Sequence, residues 1–411
     1  IQQAAEQALS GVKKGAVAVT KTSSGEILAL CSTPSFSPKN LSAALDNADS
    51  PFLNRGLLSY NLGSIFKICV AAAALESGIS PEEKYFCSGS VDCGNVFCCH
   101  KEDGHGEIDM SEAFAKSCNT YFIALAKEVG ADIILATDPD ADRLGVYALD
   151  TKSGDYVSFT GNMSGMLIAE YLLREKTKTG TMPENPALVK TIVTTNMADV
   201  MTKAYNVKEI EVLTGFKYIG EQIKLFEQNH TYNYVFGLEE SYGCLAGTHA
   251  RDKDAVVAVM CLCEVAAYCK KNGITLWDQM LKIYEEYGYF KEGLHTITMK
   301  GVTGAQAIKD IMAALRKNPA KELAGLKVLK VRDYDADVIT DMATGEKSST
   351  GLPKSNVLYF DLENDSWCCA RPSGTEPKIK FYMGVKGTSL QDSEEKLEAL
   401  KNAVLAMIPE V

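Results

Sequence analysis

No run of lysine and arginine occurs anywhere in this 411-residue chain, and its formal net charge is −11. A phosphate-backbone partner calls for the opposite sign, so nucleic acid is excluded as an expected partner. No uninterrupted apolar stretch reaches the roughly 20 residues that a bilayer-spanning helix needs, so no membrane segment is expected. The chain opens Ile1-Gln2-Gln3-Ala4-Ala5-Glu6, with neither an initiating methionine nor a basic-then-apolar start; this argues against a signal peptide and predicts a missing N-terminus. Internal repeats and low-complexity segments are also lacking, and 46% hydrophobic with 23% charged residues is ordinary for globular domains.

Cysteine, by contrast, is plentiful. Of 13 in all, Cys87, Cys93, Cys98, Cys99 and Cys118 fall in one short stretch with His100 and His105. The spacing contains no C-x2-C pair of the familiar zinc type, so reduced thiols or one disulfide are expected there instead of zinc. Cys261, Cys263 and Cys269 lie on an apolar helical run and read as small core residues.

At about 100–200 residues per domain, the length predicts two to four domains. Residues 1–12 pattern as an amphipathic helix, and Ala16–Thr20 with Glu26–Cys31 as a hairpin. Ser64–Ser77 reads as a helix apolar on all sides, and a helix pair brackets Ser117-Cys118-Asn119. After Gly130 the pattern changes. Ile133–Ala136 reads as a short strand of the parallel-sheet kind, and strands alternate with helices to about residue 290, predicting α/β architecture. From about Leu294 the chain reads as α+β, with strands at Val328–Val331, Val357–Phe360 and Ile379–Val385 and a closing helix Ser393–Met407.

In the front part, Ser64-Ile65-Phe66-Lys67 opens a helix. Residues three apart share a face, so the Lys67 amine can reach the Ser64 hydroxyl and, once desolvated, take its proton. Ser-x-x-Lys alone is common. Its order with Pro34-Ser35-Phe36, Asn54-Arg55, His105-Gly106 and Ser117-Cys118-Asn119-Thr120-Tyr121-Phe122 resembles the first half of a class B penicillin-binding transpeptidase domain, over residues 1 to about 130. The resemblance implies Ser64 as acyl acceptor, Lys67 as its base, Ser117 and Asn119 as relay and substrate contact, and a β-lactam or peptidoglycan stem peptide as partner. The Lys178-Thr179-Gly180 word spells that family's third element but follows a helix and precedes a Pro-rich loop; it reads as coincidence.

In the back part, Asp138-Pro139-Asp140-Ala141-Asp142-Arg143 follows the strand Ile133–Ala136. Carboxylates at alternate positions of an extended loop point to one side and supply hard oxygen ligands suited to Mg²⁺. An EF-hand fits worse, because its sixth position is Arg143 and its twelfth Leu149. Arg371-Pro372-Ser373-Gly374-Thr375-Glu376-Pro377 can converge backbone N–H groups and side-chain donors on a phosphate. Glu239 and Ser241 in Gly237-Leu238-Glu239-Glu240-Ser241-Tyr242-Gly243 can hold sugar hydroxyls, while Lys217, Arg251 and Lys253 add cations in tight loops. In this order the three loops resemble the α-D-phosphohexomutases, phosphoglucomutase and phosphomannomutase, from about Ala131 to Val411. That resemblance implies Mg²⁺ on Asp138, Asp140 and Asp142 and a hexose phosphate as ligand. Glu239 and Ser241 would grip the sugar; Arg371, Ser373, Gly374 and Thr375 the spectator phosphate; Arg143, Lys217, Arg251 and Lys253 would support.

The mutase family works through a phosphoserine in a Thr-Ala-Ser-His-Asn-Pro type loop, and no Ser-His-Asn occurs in these 411 residues. The expectation is a multidomain α/β and α+β chimera joined near Gly130. It comprises a partial transpeptidase (β-lactamase-like) fragment at 1–130, an incomplete second mutase domain with the metal loop at 131–182, a sugar-binding domain at 183–292 and a C-terminal α+β domain at 293–411. By family it is an isomerase, an intramolecular phosphotransferase, expected to be inactive as this chain. The alternatives are a transpeptidase fragment or a non-catalytic sugar-phosphate binding module. The mutase resemblance implies the cytoplasm; the front family is membrane-anchored and extracytoplasmic.

Overall fold

The computed structural model describes residues 1–21, 24, 26–36, 41, 47, 49, 51–52, 67–92, 96–138, 140–299, 302–373 and 377–408. The sequence-predicted site residues Ser64, Gly374 and Thr375 lie outside them. The chain divides into two compact units, Ile1–Leu62 and Gly63–Val411. In the first, the helix Gln2–Ala8 packs on the antiparallel hairpin Gly15–Thr20 and Ile27–Thr33, burying Ala5, Leu9, Ala29 and Cys31. No helix among the described residues is long and apolar enough to cross a membrane.

The second unit begins with the helix Lys67–Glu76, which packs on Asn119–Glu128. It was expected to be buried all round, yet Ile68 and Leu75 are exposed, while Ala71 and Ala74 join the core with Val70 packed against it. Two small hairpins, Tyr85–Cys87 with Gly106–Ile108 and Ser90–Asp92 with Val96–Cys98, carry the cysteine-rich stretch. Gly104 has φ +75°, and a Cβ there would lie 2.0 Å from the Cys87 carbonyl oxygen, so only glycine lets the returning loop cross this closely. Asp109 caps the helix Met110–Ala115 by accepting the Glu112 N–H at 2.9 Å.

A three-stranded meander follows: Ile133–Thr137, Leu144–Leu149 and Tyr156–Phe159, antiparallel throughout. This corrects the expectation of a parallel strand. Only six residues separate Thr137 from its register partner Leu144, whereas a parallel return needs a crossover of a dozen or more. The helix Gly161–Thr179 packs on the next layer, a sheet ordered Lys208–Val212, Pro186–Thr191, Asn233–Glu239, Gly243–Ala246. Its first three strands are parallel and the last antiparallel, with helices Met197–Ala204 and Phe216–Asn229 as crossovers, confirming α/β architecture. Cys261 and Cys269 of the helix Ala255–Lys271 are buried as expected, but Cys263 is exposed: two positions from Cys261, it falls on the other face.

The C-terminal part is an antiparallel sheet ordered Tyr289–Thr298, Lys378–Gly387, Trp367–Pro372, Leu358–Leu362, Leu326–Asp333, Val338–Asp341, Lys347–Ser348. Its central strands alternate, while Leu326–Asp333 breaks register between Val328 and Lys330. Leu358, Phe360, Cys368, Ala370, Phe381 and Met383 face the helices Val302–Lys317 and Leu390–Ala406. Tyr359, Trp367, Cys369 and Tyr382 face the other way and pack with Ile192, Val193 and Leu213 of the α/β layer. That second face seats the C-terminal sheet on the sheet bearing the sugar loop. The α/β and α+β, multidomain class therefore holds.

Candidate functional site

The aspartate loop is the tip of the hairpin between Ile133–Thr137 and Leu144–Leu149. Asp138 Oδ1 accepts the N–H groups of Asp142 (3.1 Å) and Arg143 (3.0 Å), and Ala141, at φ +49°, turns the chain. Carboxylate oxygens of Asp138, Asp140 and Asp142 come within 4.8 Å of one another. Burial pushes the Asp138 carboxyl above its ordinary value. Burial opposes ionisation of Asp142 as well, but Lys253, with Nζ 2.9 Å from Oδ2, prevails and holds it below the usual range. Three hard oxygens on one side of a loop, with Asp140 exposed, fit Mg²⁺, which takes a few protein carboxylates and completes its shell from water and phosphate.

Backbone bonds lock this loop to its neighbours. The Leu144 N–H donates to the Tyr242 carbonyl and the Ala255 N–H to the Ala141 carbonyl, each at 3.0 Å. The aspartates are thus tied to the turn Glu240–Tyr242 and to the start of the helix Ala255–Lys271. A Cβ on Gly243 would lie 2.0 Å from Lys253 Cδ, so the glycine leaves the channel through which the lysine stem reaches Asp142. A Cβ on Gly161 would strike the Glu240 carbonyl oxygen at 2.4 Å, so helix and turn meet backbone to backbone.

Glu239 is buried at the end of its strand. Its Oε1 accepts the Gly215 N–H at 3.0 Å and its Oε2 faces the Ser241 hydroxyl at 3.5 Å. Burial raises its pKa against the opposing pull of Lys253. Burial first, then the charge of Glu239, pushes Glu240 up to about 7, with the Thr191 hydroxyl donating to it at 3.4 Å.

Arg371 shares strand parity with Trp367 and Cys369, so it points to the sugar-loop side, where its charge acts on Glu240 and it bonds Tyr382. The Ser373 N–H donates to the Lys378 carbonyl at 2.8 Å. Among the supporting cations, Arg143 lies 3.5 Å from Asp142, and exposed Lys217 sits 4.8 Å over the Tyr218 ring. Arg251 holds both Glu227 oxygens (2.7 and 2.6 Å) and the carbonyls of Thr248 and Ala250 at the surface. The triad's hydrogen-bond and ion-pair partners are backbone N–H groups, Lys253 and Arg143; no serine hydroxyl is among them in the described residues.

In the front region, Lys67 Nζ donates to the Ser117 carbonyl (2.9 Å) and hydroxyl (3.0 Å), and burial lowers its pKa. Ser117 has φ +46°, and Asn119 begins the next helix. Lys178 and Thr179 end the helix Gly161–Thr179 and Gly180 caps it at φ +67°, so this word lies on no strand, in keeping with coincidence.

Cys87, Cys98, Cys99 and Cys118 are free thiols, one of the two states expected of the cysteine stretch. Cys87, Cys99, His105 and Cys118 bring their ligand atoms within 4.8 Å of one another, with all three thiols buried. Cys87 and Cys99 Sγ each lie 3.6 Å from His105 Nδ1, and Cys99 Sγ lies 4.0 Å from Cys118 Sγ. Zinc bonds of about 2.3 Å to sulfur and 2.05 Å to nitrogen make a tetrahedron with edges of about 3.8 and 3.6 Å, close to these three separations. Burial opposes the Cys87 thiolate, yet hydrogen bonds from Thr120, Gly89 and His105 bring its thiol down to about 6. The sequence marks this stretch but not which four of its residues converge, because no close C-x2-C pair singles them out. The ligands come instead from a strand, two loops and the residue before a helix.

A cleft of about 570 Å³ bordered by Asp199, Glu209, Glu211 and Arg332 shares no lining residue with these loops.

Residues 160–287 match the model of phosphoglucomutase/phosphomannomutase, alpha/beta/alpha domain III. The phosphoglucomutase of Staphylococcus saprophyticus is 36% identical over 275 residues, covering 67% of this chain and 49% of that protein. That of Staphylococcus epidermidis is 36% identical over 301 residues, 73% of this chain and 51% of that protein. The chain spans about half the length of the curated relatives it matches. The crystal structure of Pseudomonas aeruginosa PBP2 in complex with WCK 5153 matches at 32% identity over 32% of each chain with a TM-score of 0.27, too low to bear on the fold. On the domain match and these relatives, the chain resembles the phosphoglucomutases and carries their alpha/beta/alpha domain III at residues 160–287.

Proposed function

We propose that residues 131–411 form a Mg²⁺-dependent hexose-phosphate site of the phosphohexomutase type, acting in the cytoplasm, which binds its ligand but does not turn it over in this polypeptide. The observation that carries this is the single bonded unit made by the aspartate hairpin, Lys253 and the sugar turn. Asp138, Asp140 and Asp142 would hold Mg²⁺, which draws negative charge from a phosphoryl oxygen when bound. Lys253 offsets the charge of Asp142 and Glu239 and orients the loop. Glu239 and Ser241 accept and donate to sugar hydroxyls. Arg371 and the Ser373 loop, with Gly374 and Thr375, take the other phosphate, while Arg143 and Lys217 raise the local positive potential. In the mutase family a phosphoserine passes its phosphoryl group to the sugar. These 411 residues contain no Ser-His-Asn, so binding without transfer is the expectation.

Titration calorimetry with glucose 1-phosphate checks this: saturable binding with Mg²⁺, at least tenfold weaker (about 1.4 kcal/mol) in Asp140→Ala. Equal affinity with and without Mg²⁺ would overturn the metal assignment, and formation of glucose 6-phosphate would overturn the inactivity.

A second reading, for the front region, rests on the four convergent ligand atoms: a structural zinc centre at Cys87, Cys99, His105 and Cys118. Metal analysis of the purified chain tests it, with stoichiometric zinc expected and loss in Cys118→Ser. The Lys67–Ser117 contact favours transpeptidase ancestry for this region. Covalent labelling of Ser64 by a fluorescent β-lactam is nonetheless expected to fail, since the Lys178-Thr179-Gly180 word ends a helix and flanks no cleft as a strand.

A further inference from the structure

We infer that the Cys87–Cys99–His105–Cys118 centre is a peroxide-responsive switch: oxidation joins Cys99 to Cys118, expels the metal and loosens the Lys67–Ser117 contact. This rests on the zinc reading above and goes beyond it.

Three of the four ligands are thiols, so the set can be oxidised where a carboxylate or imidazole set could not. Cys99 and Cys118 are separated by 4.0 Å between sulfurs, about the edge of a zinc tetrahedron and roughly twice a disulfide bond. Bound metal holds such a pair apart; its departure leaves the sulfurs as neighbours in a core that excludes bulky thiols, Cys99 being 3% and Cys118 0% exposed. His105 is only partly buried, so the cluster reaches solvent on its side.

The chemistry closes with that oxidant alone. The Cys99 thiolate attacks one peroxide oxygen; the O–O bond breaks and hydroxide leaves, giving a sulfenic acid. The Cys118 thiolate then attacks the Cys99 sulfur; the S–S bond forms, the S–O bond breaks and a second hydroxide leaves. Two electrons pass from the two sulfurs to the peroxide, two protons convert the hydroxides to water, and Zn²⁺, stripped of two thiolates, dissociates.

Position in the fold gives the switch its output. Cys118 is fixed between Ser117, at φ +46°, and Asn119, the first residue of the helix that packs on Lys67–Glu76. Both the carbonyl and the hydroxyl of Ser117 receive the Lys67 ammonium. Drawing Cys118 toward Cys99 shifts the adjoining peptide unit, which includes that carbonyl.

The test uses the full chain loaded with Zn²⁺ and freed of excess. Hydrogen peroxide is added while zinc release is followed with a chromogenic chelator, and non-reduced peptides are mapped by mass spectrometry. Stoichiometric release, a Cys99–Cys118 disulfide, faster acetylation of Lys67 and recovery on reduction are expected. Cys99→Asp keeps a metal-ligating oxygen but removes the disulfide, and should hold its zinc through the same exposure. Cys87→Asp keeps the disulfide pair and should release zinc as the parent does. Zinc retained by the parent, or lost with sulfinic acid or another cysteine pairing, overturns the switch while leaving the zinc centre standing. A chain that takes up no zinc overturns both.

Discussion

The front region, residues 67–130, and the back region, 131–411, organise a site in opposite ways. In front, the shared core is small and includes Cys87, Cys99 and Cys118, so the candidate metal ligands are also part of the packing. Behind, large cores lie under the sheets, and the aspartate, sugar and phosphate loops project from elements buried independently of any ligand. A site made of its own core stands or falls with its ligand; a site grafted on packed layers loses only binding when a ligand or side chain is removed.

The contrast is broken most severely by chelation. Stripping zinc should melt the front region, a loss on the order of several kcal/mol, while residues 160–387 keep their hydrogen-exchange protection. Equal deprotection of both regions would abolish the distinction. Trp367→Ala, which empties the face seating the C-terminal sheet on the sugar layer, should cost about 3–5 kcal/mol in urea unfolding and leave zinc content unchanged. Gly243→Ala closes the Lys253 channel and should weaken glucose 1-phosphate binding roughly tenfold, about 1.4 kcal/mol, with little change in melting temperature.

The smallest effect concerns Glu209 beside the cleft, whose Oε1 is buried without a hydrogen-bond partner among the described residues. Burial pushes its carboxyl from the ordinary 4.5 to about 8. The folded state therefore holds a proton that the unfolded chain releases, and stability falls as pH rises from the ordinary value through about 8. Glu209→Gln should gain on the parent in melting temperature across that window and show no further gain above it. A constant difference at all pH values would show that Glu209 carries no such proton.

What could be read in advance followed from short-range rules. The alternation Leu358, Tyr359, Phe360 predicts a strand buried on both faces, and each face found a different partner. The aspartates of 138–142 converge as the sequence suggested, but through the turn at Ala141 and not through the extended loop that their alternate spacing implied. Strand direction was not legible, since four apolar residues look alike in either sheet and the return path decides. The Arg251–Glu227 pair was not legible, because nothing near Arg251 in sequence shows a partner 24 residues away. Which of the clustered cysteines and histidines meet was not legible for the same reason: Cys87, Cys99, His105 and Cys118 are spread over residues 87–118 and come together through the paired strands and the crossing at Gly104.

Phosphorus NMR of glucose 1-phosphate, recorded with the chain and Mg²⁺, tests most directly whether the grafted site binds without transferring. The ligand resonance should broaden and shift on addition of chain, revert when Asp140 is replaced by alanine, and give no new signal. Growth of a glucose 6-phosphate resonance, or an unperturbed ligand line at saturating chain, would contradict the account.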